Sequence, residues 1–172
     1  MGLIVADTSA LVSLGTVVHH VKSPVDILLD EHRVAIPTQV ETELRETASY
    51  GDQSGNAAQA VLDRLPEFTV QRTELDADFP LDDGENAAVT LTNDIEATQF
   101  LCDEFNQLAL IHASLADSRL VTTPTLLLAF VRNGHLDPFD ADELFARLSD
   151  ARSWENNSYV IRVRATLQQE MQ

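Results

Sequence analysis

Four carboxylates in this chain stand where they could do chemistry: Asp7, Glu43, Glu85 and Asp103. Asp7 ends the apolar run Leu3-Ile4-Val5-Ala6 and is followed by two hydroxyls, Thr8 and Ser9, while Asp103 follows Phe100-Leu101-Cys102. An apolar run that stops abruptly at an acid reads as a buried strand delivering it to a strand-to-helix turn. The same pattern suits a helix N-cap, and both readings can hold together. Glu43 sits beside the apolar Leu44 but between Glu41 and Glu46, so a solvated helix face would look similar. Glu85 opens a helix of small residues. Strand ends and helix starts share one edge of a parallel sheet, the edge at which α/β folds bind ligands. Carboxylates gathered there raise one another's pKa unless a cation neutralises them. An all-oxygen donor set selects hard divalent ions, Mg²⁺ or Mn²⁺, over zinc. Two such ions about 4 Å apart activate water and stabilise a leaving oxygen in phosphodiester hydrolysis.

Strands alternating with helices must position these acids. Short apolar strands are expected at residues 3–6, 33–36, 68–71, 98–102 and 119–121. Helical patterns cover residues 10–18, 24–31, from 38 onward, 57–65, 86–91, 105–115, 123–133 (closed by Gly134) and 140–148. Residues 74–80 form an acidic, solvated loop. Residues 154–172 are ambiguous: Tyr159 to Val163 alternates like a strand, whereas Arg164 to Glu170 favours helix. The expected fold is α/β, a three-layer α/β/α sandwich around a mainly parallel sheet of four to five strands. A domain over residues 1–137 would carry the acids. Residues 138–172 would form an appended C-terminal segment packed on it.

Composition bounds the remaining possibilities. A chain of 172 residues suits one domain with a sizeable core. No apolar run approaches the roughly 18 residues of a membrane span, and no signal peptide is recognisable, so a soluble cytoplasmic protein is expected. Cys102 has no disulfide partner in the chain and reads as a buried, inert strand residue. The net charge of −17, with Lys22 the sole lysine, argues against generic attraction to a polyanion. It is also the composition of a protein adapted to high salt, where at about 1 M the Debye length falls to about 3 Å. A halophilic source would remove that objection to a nucleic-acid substrate. No P-loop, dinucleotide fingerprint or serine-hydrolase spacing is present. His19 and His20 read as solvated caps, Asp82 and Asp83 as helix caps or metal neighbours, and Asp117 as a turn residue. Arg119, Arg132, Arg162 and Arg164 read equally as phosphate contacts or ion-pair partners.

The segments Asp7-Thr8-Ser9, Val40-Glu41-Thr42-Glu43-Leu44, Gly84-Glu85-Asn86-Ala87 and Leu101-Cys102-Asp103-Glu104 resemble, in order and spacing, the successive acidic motifs of PIN domains. The Gly-Glu form, with Thr-Pro-Thr-Leu-Leu-Leu after strand five, is similar to a prokaryotic branch common in archaea that includes VapC-like toxins. The resemblance covers about residues 3–137. It implies a Mg²⁺ or Mn²⁺ dependent endoribonuclease with Asp7, Glu43, Glu85 and Asp103 as catalytic and metal-binding acids, supported by Thr8 and Ser9. Thr8 would hydrogen-bond Asp7. Asn106 stands where many members carry a further acid, and Glu85 replaces the commoner aspartate. The resemblance further implies an RNA substrate, a possible antitoxin partner, and a homodimer through Leu126, Leu127, Leu128 and Phe130, a run that could equally be core. Two rivals remain open: a non-catalytic PIN-like module that binds protein or RNA, and a nuclease acting on DNA.

Overall fold

The computed structural model describes residues 2–20 and 22–172. Five strands, β1 (Leu3–Ala6), β2 (Arg33–Pro37), β3 (Thr69–Gln71), β4 (Gln99–Leu101) and β5 (Arg119–Val121), form one parallel sheet in the order β3-β2-β1-β4-β5. Helices α1 (Thr8–Thr16), α2 (Pro24–Glu31), α3 (Thr38–Ala48), α4 (Gln53–Leu62), α5 (Asp83–Asp94), α6 (Leu108–Ser114), α7 (Thr123–Arg132), α8 (Pro138–Arg152) and α9 (Ser158–Glu170) flank it as a three-layer α/β/α sandwich. β1 is central and buried on both faces, which explains its continuous apolar run: Ile4, Val5 and Ala6 are all fully enclosed. Chain progression reverses between β1 and β4, and such a switch point opens a crevice at the carboxyl edge. Asp7 lies in that crevice. Pairing continues just past the strands, as the Asp7 amide donates to Leu101 O at 2.9 Å and the Cys102 amide to Val121 O at 2.9 Å.

Several expected boundaries shift for local reasons. α4 begins earlier than residue 57 because the Asp52 carboxylate accepts from the Gly55 amide at 2.8 Å and so caps the helix. Residues 105–107 form a turn rather than the start of α6, with the Gln107 amide donating to Glu104 O at 2.9 Å. Gly134 closes α7 with φ of 80°, as expected of a glycine after a helix end. The ambiguous tail is one helix. Its buried residues, Val160 and Leu167, are two turns apart and face α7 and α8, while Ile161 is exposed, so the strand-like alternation is incidental. Asn157 caps it through an acceptor contact to the Val160 amide at 3.1 Å.

The apolar run expected to offer a dimer face does not. Leu126, Leu127, Leu128 and Phe130 are all buried within this one chain, where they pack in the core between sheet and C-terminal helices. No helix among the described residues is long and apolar enough to cross a membrane.

Candidate metal centre

Each acid reaches the carboxyl edge of the sheet by a different route. Asp7 occupies the N-cap position of α1, yet its side chain makes no capping bond and stays available to the crevice. Instead it is fixed from behind: Ser9 Oγ donates to Asp7 Oδ2 at 3.3 Å and the Cys102 thiol donates to the same oxygen at 3.5 Å. Glu85 stands in the first turn of α5, whose N-cap is Asp82, with Asp82 Oδ1 accepting from the Glu85 amide at 2.9 Å. Glu104 follows β4 by three residues, its amide donating to Cys102 Sγ at 3.4 Å. Asp7, Glu85 and Glu104 each bring one carboxylate oxygen to within 4.8 Å of the others. These three acids line an open cavity of about 240 Å³ together with Glu43, Asp82 and Arg152.

Glu43 reaches the cavity from α3, and Thr8 Oγ1 donates to its Oε1 at 3.0 Å. Thr8 thus holds Glu43 by its hydroxyl, whereas its contact to Asp7 is through the backbone amide. Gly84 has a reason to be glycine: a Cβ there would run into the Glu43 carboxylate. The Gly-Glu pair therefore places Glu85 while leaving room for the acid of another helix.

Asp103 is buried and points elsewhere. Its Oδ1 accepts from the Thr123 amide at 2.7 Å and its Oδ2 from Thr123 Oγ1 at 2.6 Å, so both oxygens are engaged at the start of α7. Two adjacent acids after β4 make either one a candidate for the cavity, and the sequence pattern alone does not choose between them. Asn106 is exposed in the turn and does not line the cavity. Ser9 connects the two aspartates, since its Oγ also accepts from the Asp103 amide at 3.0 Å. Arg152 had no sequence signal, because nothing in its helix distinguishes it from other surface arginines.

Electrostatics are those of a site short of positive charge. Burial pushes the Asp7 carboxyl up to about 7, helped by the charges of Glu43 and Glu104. Glu85 is likewise pushed up to about 7 by burial, then by Asp82, Asp7 and Glu104. Burial also raises Glu43 and Glu104, with Asp82 adding to both, and Arg152 opposes the rise at Glu104. Burial raises Asp103 against the pull of its Thr123 hydrogen bonds. Burial raises the Cys102 thiol as well, consistent with an inert donor.

The donor set fits a divalent cation on an independent ground. Glu85 Oε2 is buried and accepts no hydrogen bond, an orphan that a cation would satisfy. Carboxylate oxygens without nitrogen or sulfur ligands match Mg²⁺ or Mn²⁺ chemistry.

Other residues weighed from sequence find plainer roles. Arg132 pairs with Glu170 at 2.7 Å and Arg164 with Asp142 at 2.7 Å. His20 lies outside the cavity, 3.5 Å from Glu143, and Asp140 is nearby.

A PIN-domain family model matches residues 3–169, and the chain belongs to that family. PIN domains are in general metal-dependent nucleases. No curated protein matches the chain. The match runs through α8 and α9 as well as the sheet, so the C-terminal helices fall within the family's span.

Proposed function

We propose that this protein is a Mg²⁺ or Mn²⁺ dependent endoribonuclease in which Asp7, Glu85 and Glu104 bind the cation and Glu43 completes the acidic wall. The observation that carries the reading is the convergence of one oxygen from each of three carboxylates to within 4.8 Å of one another, one of the three residues, Glu85, carrying a buried oxygen without a hydrogen-bond partner. Asp103 becomes a positioning residue, tying the β4 end to the α7 start so that Glu104 projects into the crevice. When bound, the cation would activate water and stabilise the leaving oxygen of a phosphodiester. The protein's own part is to hold its acids in place: Ser9 and Cys102 orient Asp7, and Thr8 orients Glu43.

The test is cleavage of labelled single-stranded RNA and, separately, single-stranded DNA, with Mg²⁺, Mn²⁺ or chelator, at high potassium chloride to suit the −17 charge. The expected result is divalent-dependent cleavage of RNA that Asp7→Asn abolishes. Undiminished cleavage by that variant would overturn the assignment; cutting of DNA alone would transfer it to the DNA-directed rival. Absence of both cleavage and divalent binding would favour the non-catalytic module. A toxin role of the VapC-like kind rests on motif resemblance. It predicts growth arrest on induced expression of the wild type but not of Asp7→Asn.

A further inference from the structure

The cavity holds one basic side chain among its acids. Arg152 is the last residue of α8 and lines the cavity with Asp7, Glu43, Asp82, Glu85 and Glu104. Five of the other nine arginines, Arg45, Arg64, Arg132, Arg147 and Arg164, each pair with a carboxylate. Arg152 belongs to none of the ion pairs of the described residues, although acids surround it. Its Nε is buried and has no hydrogen-bond partner. A buried guanidinium donor without an acceptor is unfavourable unless a ligand completes it.

The backbone around Arg152 is held firmly. Ser153 adopts a left-handed conformation with φ of 57°, and the Trp154 amide returns to Ser149 O at 2.9 Å. Trp154 is buried edge-on against Phe105, ring centroids 5.3 Å apart. Phe105 directly follows Glu104, so one aromatic contact sets the arginine and an acid relative to each other. The guanidinium is thus held beside the carboxylates without a close ion pair to any of the described acids.

We propose that Arg152 is a substrate-binding residue whose guanidinium takes an anionic non-bridging oxygen of the phosphodiester that enters the cavity. The inference rests on the nuclease reading for the identity of the anion. Acids alone would repel a phosphate, and a divalent ion offsets only part of that repulsion. Arginine suits the task because its planar fork matches phosphate oxygens and stays charged at any working pH.

The experiment compares wild type, Arg152→Ala and Arg152→Lys for equilibrium binding of a labelled single-stranded RNA oligonucleotide in Ca²⁺, and for kcat/KM in Mn²⁺. Circular dichroism melting checks the fold, and the lysine variant keeps the comparison decisive should the alanine variant fail to fold. Loss of a charge-assisted contact predicts an affinity drop of about tenfold or more for Arg152→Ala, with partial recovery in Arg152→Lys. A matching fall in kcat/KM is expected. Oligonucleotide affinity unchanged or tightened in Arg152→Ala would overturn the proposal and leave Arg152 as a counter-charge to Glu104. A wild type that binds RNA without cutting it would defeat the ribonuclease reading, yet the Arg152 comparison would still decide this one. A wild type that binds no RNA would overturn both.

Discussion

Replacing Asp7 by Asn should make the metal-free protein more stable, and more so as pH rises. Asp7 is 3% exposed and its carboxyl is pushed up from 3.8 to about 7, so folding in chelator disfavours its charged form. For an acid with a raised folded pKa, the native state binds more protons than the unfolded state between the two values. Stability therefore falls as pH climbs from about 4 to about 7 and levels off above. Three units correspond to a ceiling of about 4 kcal/mol. Near pH 5 only about 1.7 kcal/mol of that penalty has developed, so the advantage of Asp7→Asn over wild type should widen by about 2–3 kcal/mol on going to pH 8. In a chain of this size that is a relative gain in Tm of about 5–10 °C. The assay is thermal melting of both proteins in chelator at pH 5 and pH 8, repeated with saturating Mn²⁺. Mn²⁺ should reverse the order, raising the Tm of wild type and leaving the variant unmoved. A difference between the two proteins that is independent of pH, or a Mn²⁺ shift of equal size in both, would refute the reasoning.

Other substitutions separate the acids from one another. Glu104→Gln should weaken Mn²⁺ binding at least about tenfold by calorimetry with the fold intact. Asp103→Asn should instead cost about 2–3 kcal/mol of stability in chemical unfolding, because Asn can no longer accept from both Thr123 groups. Gly84→Ala should leave the Tm within about 3 °C, since α5 tolerates alanine, yet lower cleavage by displacing the Glu43 carboxylate. Because Asp7 and Glu85 both sit at about 7, Mn²⁺ binding should release about one to two protons near pH 6 and almost none near pH 9. Calorimetry in buffers of different ionisation enthalpy reads that number; proton release that does not change with pH would count against these two ligands.

The fold was legible because its determinants are local and periodic. β1 announces itself as a central parallel strand by four apolar residues without alternation, and the helices between strands impose the parallel order. Asp7 and Glu85 were legible for the same reason, each standing at the start of a helix that follows an interpretable break. What could not be read was the direction of side chains after β4. Asp103 and Glu104 are consecutive, successive residues in extended chain project to opposite sides, and a boundary error of one residue exchanges their roles. Thr123, which decides the matter by claiming both oxygens of Asp103, is 20 residues away.

The part that the C-terminal segment plays in the site is hidden from the sequence for a related reason. α8 delivers Arg152 to the cavity, Trp154 braces the turn after Glu104, and Tyr159 Oη lies 2.9 Å from Thr122 Oγ1 at the cap of α7. Each contact joins residues far apart in sequence, so no window of local pattern could contain it. The physical consequence is that truncating the chain after residue 137 would do more than expose the apolar face of α7. It would unbrace Phe105, free the α7 cap that Asp103 depends on, and remove the one basic side chain that lines the cavity among the described residues. On this geometry the cavity is assembled from both ends of the chain, its acids from β1, α3, α5 and the segment after β4 and its arginine from the end of α8.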